Sequence, residues 1–230
     1  MARRGARRGG CLGAALRAVV AVVGGYLVAC TLLLVAYRWV EPPATTVQVQ
    51  RLVEAAVSGE PYELRYHPVP QSGQDDDLRH AVVASEDSRF YTHGGFDWDE
   101  LRAAREAAER TGRPMRGAST LTQQLVKNLF LTTHRSVVRK AFEVPLTLLA
   151  ELILPKDRIL TLYLDVAEWG PGVFGAEAAA QHHYGTSADA LTREQSARLA
   201  AVLPAPLARR PQDMGRTSSR ILTRMRQMGW

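Results

Sequence analysis

Hydrophobic positions follow two patterns along this chain. The first is an unpunctuated run: from Ala18 to Tyr37 no residue carries a charge. As a helix rising about 1.5 Å per residue, that run spans roughly the 30 Å hydrocarbon layer of a bilayer. Glu41-Pro42-Pro43 ends it, residues 44–66 read as a short neck, and His67 to Asp77, with its Pro, Gly and three consecutive Asp, reads as a loop. The second pattern begins near residue 78, where apolar spacing turns helical almost throughout. Helices are expected over 78–88, 99–110, 119–131, 136–154, 156–164 and 173–184. Thr192-Arg193-Glu194-Gln195 is a capping box opening a helix that Pro204 closes, and a last helix is expected over 217–228. No segment alternates for long, so the expected fold is mainly α.

The segment 119–131 has two faces. Leu121, Leu125, Val126, Leu129 and Phe130 fall on one side of a helix, with Thr120, Gln123, Gln124, Lys127 and Asn128 opposite. Uncharged hydrogen-bonding groups closed by a single Lys are poor core material and suit a polar, charged ligand. Ser119 is the expected N-cap, and the helix start behind Gly117 offers unpaired N–H groups to an anion.

Charge changes the picture mainly at the N-terminus. The chain has 29 basic and 23 acidic residues and a formal net charge of +6. Arg3, Arg4, Arg7, Arg8 and Arg17 all precede the apolar run, so residues 18–230 hold 24 basic residues against 23 acidic ones. The excess belongs to the tail, which points to membrane orientation and away from nucleic acid. An Arg-rich tail predicts a cytoplasmic N-terminus with everything after Arg38 outside. A cleaved signal peptide would have a shorter apolar region, whereas this one continues through Leu32, Leu33, Leu34 and Val35. Leu27-Val28-Ala29-Cys30 mimics a lipoprotein processing site, but lipidation there would strand the apolar Thr31 to Tyr37. Cys11 and Cys30 are the only cysteines, so the external part has neither a disulfide nor a Cys-based metal site or nucleophile. The expected organisation is a basic tail (1–17), a transmembrane helix (18–37), a neck and linker (38–77) and one domain (78–230).

Two further features carry chemistry. Only three of the basic residues are Lys, and Lys127, Lys140 and Lys156 fall within one 30-residue window. Where a chain otherwise uses Arg, a Lys marks a place for a compact, rotatable charge. Arg135, Arg139 and Lys140 form a positive cluster suited to phosphate or diphosphate. Glu86-Asp87 is an acidic pair running into Ser88-Arg89-Phe90-Tyr91-Thr92-His93-Gly94-Gly95, where aromatic neighbours can partly desolvate a carboxylate and raise its pKa toward the range of a general base. The plainer alternative is an acidic helix end with His93 making a loop hydrogen bond.

Taken in order, these pieces resemble the peptidoglycan glycosyltransferases, glycosyltransferase family 51. The resemblance rests on Glu86-Asp87-Ser88-Arg89-Phe90-Tyr91-Thr92-His93-Gly94-Gly95, on Gly117-Ala118-Ser119-Thr120-Leu121-Thr122-Gln123-Gln124-Leu125-Val126-Lys127-Asn128, on Arg139-Lys140-Ala141-Phe142-Glu143, and on Lys156-Asp157-Arg158-Ile159-Leu160-Thr161-Leu162-Tyr163-Leu164-Asp165. It covers about residues 78–228. The neck and the C-terminal end look like the monofunctional kind, and no Ser-x-x-Lys occurs, so an acyl-serine penicillin-binding half is absent.

The resemblance implies a lysozyme-like α domain with a smaller membrane-proximal lobe, preceded by one transmembrane helix and facing the periplasm from a bacterial inner membrane. It implies polymerisation of lipid II by inverting β-1,4 transfer, with release of undecaprenyl diphosphate. Glu86 matches the general base and Glu143 the second glutamate, read here as orienting the cations or steadying an oxocarbenium-like transition state. Substrate contacts are implied for Asp87, Ser119, Thr120, Gln123, Gln124, Lys127, Asn128, Arg135, Arg139 and Lys140. The implied partners are lipid II, the nascent glycan, the membrane and proteins of cell division or elongation, with no nucleic acid. No organic cofactor is implied; a divalent cation, Mg2+ or Mn2+, could assist the leaving diphosphate, with no residue assigned as its ligand.

Three positions depart from the family pattern. Ala118 stands where a second Gly is common, Asp165 replaces a common Asn, and Pro145 falls where a helix should kink or break. Two other functions fit parts of the sequence. A membrane-bound glycan-cleaving enzyme would use Glu86 as an acid but has no use for a phosphate-binding cluster, and a non-catalytic scaffold of a cell-wall complex would need no base.

Overall fold

The computed structural model describes residues 5–113, 119–134 and 136–230. Gly117 and Ala118, and with them the turn expected to place the polar helix, lie outside the described residues, as does Arg135.

The expected helices are present, most boundaries shifting by one to three residues; the first starts at Gly5, well before the expected span, and the helix opened at Thr192 ends at Ala200, short of Pro204. α1 (Gly5–Ala36) contains the apolar run, and its stretch Gly13–Ala36 is long and apolar enough to cross a membrane. The neck supplies α2 (Thr46–Ser58), opened by a capping box between Thr45 and Gln48. Then come α3 (Asp76–Glu86), α4 (Trp98–Thr111), α5 (Leu121–Phe130), α6 (Val137–Ile153) and α7 (Lys156–Val166). α8 (Ala176–Tyr184), α9 (Arg193–Ala200) and α10 (Gly215–Gln227) complete the chain, and the capping box at Thr192 opens α9 as expected.

Three outcomes differ from the sequence reading. Thr120, not Ser119, caps α5: its Oγ1 accepts from the Gln123 amide while Gln123 Oε1 accepts from the Thr120 amide. The reciprocal box needs Gln or Glu three residues past the cap, which Thr120 has and Ser119 lacks. α6 runs unbroken through Pro145, so the helix forgoes the hydrogen bond that residue 145 would have donated, and its packing carries that loss. Finally, the segment read as helix from Val173 begins as a strand: β1 (Arg65–Tyr66), β2 (Glu168–Gly170) and β3 (Val173–Phe174) form a sheet ordered β1-β3-β2, with β1 parallel and β2 antiparallel to β3. Strands of two or three residues are too short to show alternation.

α5 is the central element. Leu121, Leu125 and Val126 are fully buried, and the helix packs against α2, α6 and α7. The sequence-predicted apolar stripe is therefore the core seam. α1 packs against α6 and reaches the end of α5: the Tyr26 hydroxyl donates to the Phe130 carbonyl at 2.6 Å, the Tyr26 and Phe142 rings meet edge-to-face, and Cys30 and Leu34 are buried. α6 also exposes Val137, Val138, Val144, Leu148 and Leu152. This apolar surface lies on the helix that packs against α1.

Candidate active site

Glu86 is the last residue of α3, whose first turn carries Asp76 and Asp77 and is capped by the Asp75 carboxylate. Its position is set by two neighbours. Gln124, one turn into α5, donates from Nε2 to Glu86 Oε2 at 3.0 Å, and the Tyr163 hydroxyl of α7 donates to Gln124 Oε1 at 3.0 Å. Tyr163 is 1% exposed, so this relay approaches Glu86 from the protein interior and fixes which end of the Gln124 amide faces it. Burial raises the Glu86 carboxyl above the ordinary carboxylate range, while the bonds from Gln124 and Ser85 and the charges of Lys127 and Arg209 pull it back.

Across α5 lies a cationic cluster. Ser136 caps α6, and in its first turns Arg139 donates to Glu143 Oε2 at 2.7 Å while Lys140 pairs with Glu143 Oε1. Glu143 is buried with both oxygens occupied, so its carboxylate holds two cations in place on one helix face. Lys127 projects toward them from α5 without an ion pair to any described residue. Burial lowers its pKa, Glu143 raises it, Arg139 opposes, and Glu86 raises it again. Ser119, Gln123, Gln124, Lys127, Thr133, Arg139, Lys140 and Glu143 line one cavity of about 290 Å3. Ser119 also lines a cavity of about 150 Å3 with Glu86, and Gln124 and Lys127 line a third of about 190 Å3 with Asn128. The cavity holding Glu86 and the cavity holding the cluster thus adjoin at Ser119, and the cluster's cavity adjoins the third at Gln124 and Lys127.

Three sequence-predicted binding residues prove to be occupied within the protein. Asp87 accepts from His93 at 2.8 Å and from the Leu121 amide at 3.0 Å, which ties the start of α5 to α3. Thr120 Oγ1 donates to the Gly95 carbonyl as well as capping α5. Gln123 Oε1 closes the capping box, although the residue still borders the cleft. Lys156 belongs elsewhere: it pairs with Glu151 at 2.8 Å and lies over the Phe90 ring. Arg224 of α10 donates to the Ala84 carbonyl at 2.9 Å and borders the Glu86 cavity. A cation on the last carbonyls of α3 complements the helix dipole and steadies the turn that ends in Glu86.

Sequence reasoning missed Tyr163 and Arg209. Tyr163 stands inside a quoted motif, but nothing local shows that it reaches Gln124. Arg209 lies in none of the motifs.

The described residues do not offer a cation a free set of ligands. Both Glu143 oxygens are taken, and the one close cluster, Asp87, His93 and Asp97, is already satisfied: Gly95 donates to His93 Nδ1, His93 to Asp87, and Glu100 to Asp97. No step is therefore routed through a protein-held metal.

A carboxylate with raised basicity in a cavity adjoining one lined by anchored cations is the equipment of an enzyme that moves a group from an anionic leaving group. The transglycosylase family model matches residues 54–228, and the chain belongs to that family. It is 47% identical over 196 residues to a biosynthetic peptidoglycan transglycosylase of Pseudomonas putida strain W619, covering 85% of this chain and 83% of the relative. The relative of the same description from Pseudomonas savastanoi pv. phaseolicola is 45% identical over 218 residues, 93% and 92% of the two chains. That from Pseudomonas entomophila is 51% identical over 170 residues, covering 74% and 72%.

Proposed function

We propose that this protein is a peptidoglycan transglycosylase that polymerises lipid II, transferring the growing glycan with inversion and releasing undecaprenyl diphosphate. The observation that carries the reading is that Glu86 and the Lys127, Arg139 and Lys140 group line adjoining cavities that share Ser119, with Gln124 bonded to Glu86 and bordering the cations. Inversion by a single displacement needs one base on the acceptor hydroxyl and charge stabilisation on the departing diphosphate. Glu86 takes the hydroxyl proton. Its burial makes it more basic than a surface glutamate, and the Gln124 bond holds one oxygen so that the other meets the acceptor. The diphosphate leaves as an anion and is met by Lys127, Arg139 and Lys140. Glu143 offsets the mutual repulsion of Arg139 and Lys140 and holds both on one helix face beside Lys127. Ser119, Gln124 and Asn128 border the sugars between the two ends.

The membrane arrangement supports the same reading. α1 anchors the chain, and α6, which carries the cationic cluster, lays its apolar face beside that anchor. A diphosphate on a lipid tail would thus meet its cations at the bilayer surface. In this reading the anchor crosses a bacterial inner membrane, with the cleft on the periplasmic side.

Incubation of the detergent-solubilised protein with lipid II tests this. The expected result is glycan polymer with one undecaprenyl diphosphate released per disaccharide added. A protein that binds lipid II and makes no polymer is a scaffold, and one that shortens preformed glycan without using lipid II is a cleaving enzyme; either result overturns the reading.

A further inference from the structure

A larger cavity of about 630 Å3 lies outside the site described above. Its walls are the Gly170-Pro171 turn between β2 and β3, the C-terminal end of α8 and residues 206–212. The charged and titratable groups lining it are Arg209, Arg210, His182 and His183, with no carboxylate among them. In a chain whose charge is nearly balanced beyond its tail, such a one-signed lining is not the average surface. Neither Arg209 nor Arg210 forms an ion pair with a described residue. Arg209 is braced instead by the Ala201 carbonyl, which accepts from Nη1 at 2.9 Å. Arg65 donates to His182 Nδ1 at 2.9 Å, which leaves the Nε2–H of a neutral His182 free to donate elsewhere. His183 donates to the Trp169 carbonyl at 3.2 Å, so it serves as wall.

The cavity continues the cleft. Pro206 lines both it and the cavity holding Lys127 and Asn128, and the Arg209 charge is felt at Glu86. The diphosphate has its own cations on α6, so this second positive region faces a different part of the substrate. Pro171, Pro206, Leu207 and Ala208 give it apolar walls, which suit short aliphatic side chains and not a row of sugar hydroxyls.

We propose that this cavity binds the carboxylate-bearing peptide branch of the glycan substrate, with the Arg210 and Arg209 guanidinium groups and His182 Nε2–H as the donors. The inference rests on the transglycosylase reading. Its chemistry is the pairing of a guanidinium fork with a carboxylate, at a volume within the roughly 300–1,000 Å3 usual for ligand sites.

The test compares two lipid II substrates, one with free peptide carboxylates and one with the same groups amidated, on the full-length protein in detergent. The wild type should show a KM about tenfold lower for the acidic substrate, the scale of one charge-assisted hydrogen bond. Arg210→Gln should raise KM for the acidic substrate toward that of the amidated one with kcat little changed, and Arg210→Lys should recover part of the difference. Equal KM values in the wild type, or a rise for both substrates alike in Arg210→Gln, would overturn the proposal. A change confined to inhibition by inorganic diphosphate would also overturn it, because the cavity would then be a phosphate site. Calorimetry with a soluble, phosphate-free muramyl peptide separates this proposal from the reading beneath it. Binding that is lost in Arg210→Gln supports the cavity assignment even if neither lipid substrate is polymerised, and wild-type polymerisation without peptide binding rejects the cavity alone.

Discussion

Replacing Asp165 by Asn should remove one large source of pH dependence from the stability of this protein. Asp165 is fully buried at the end of α7; its Oδ1 accepts from the Val69 amide at 3.3 Å and from Gln74 Nε2 at 3.1 Å, and its Oδ2 is buried without a partner. Burial, more than any neighbour, pushes its pKa from 3.8 up to about 8; the Glu41 charge adds to the rise, and the Val69 and Gln74 bonds and Arg158 oppose it. Between those values the folded chain binds a proton that the unfolded chain has released. Stability therefore falls as pH rises, by about 1.4 kcal/mol per unit, and the loss is complete once pH exceeds the folded value. From pH 5 to 8 the wild type loses about 4 kcal/mol on this account. The variant keeps the acceptor at Oδ1 and has nothing to ionise. At pH 5, where the wild-type carboxyl is neutral too, the two should differ by no more than about 1–3 kcal/mol, the range set by one unpartnered buried amide. Melting in detergent at pH 5 and pH 8 measures the change. Relative to wild type, the variant should gain about 8–16 °C between the two conditions, at 2–4 °C per kcal/mol for a chain of this size. A wild-type-to-variant difference that is the same at both pH values would refute the buried-acid argument.

Other outcomes rest on the same geometry. Tyr163→Phe removes the hydroxyl that orients Gln124, so kcat should fall by about 5–30-fold, the equivalent of 1–2 kcal/mol, with little change in KM for lipid II; an unchanged kcat would show that the relay does not align Glu86. Glu143→Gln frees Arg139 and Lys140 from their shared anchor, and inhibition by a diphosphate-bearing donor mimic should weaken while the circular dichroism of the folded chain stays the same. Gly172→Ala meets a φ of 75° and places Cβ 2.2 Å from the Glu63 carbonyl, so it should cost about 3 kcal/mol or more, seen as a lower melting temperature, because β1 and the β2–β3 turn must part.

Much of the scaffold was legible because helices announce themselves locally. The spacing of Leu121, Leu125 and Val126 set the buried face of α5, and the Thr192 box marked the start of α9. The α5 cap is encoded locally as well: Gln123, three residues past Thr120, closes a reciprocal box that the higher capping propensity of Ser119 cannot match. What the sequence did not show depends on distant pairings. Asp87 reads as a ligand because it stands beside Glu86, yet its oxygens are claimed by His93 and by the Leu121 amide, 34 residues away. Arg224 bonds the Ala84 carbonyl across 140 residues, whereas helical spacing says only which face it occupies. Tyr163 and Arg209 reach the site through contacts across 39 residues and through space to Glu86, respectively, which no local pattern encodes. β1 joins β3 through register between segments 108 residues apart, as Arg65 pairs with Val173.

The central claim is that Glu86 removes the acceptor proton while the cations opposite bind the donor independently. Glu86→Gln keeps the shape of the side chain and removes the base, so single-turnover release of diphosphate from lipid II measures the claim most directly. The account predicts release at least a hundredfold slower than wild type, within the 10²–10⁴ range of a lost general base, with donor affinity within about twofold of wild type. Release at the wild-type rate in this variant would contradict it.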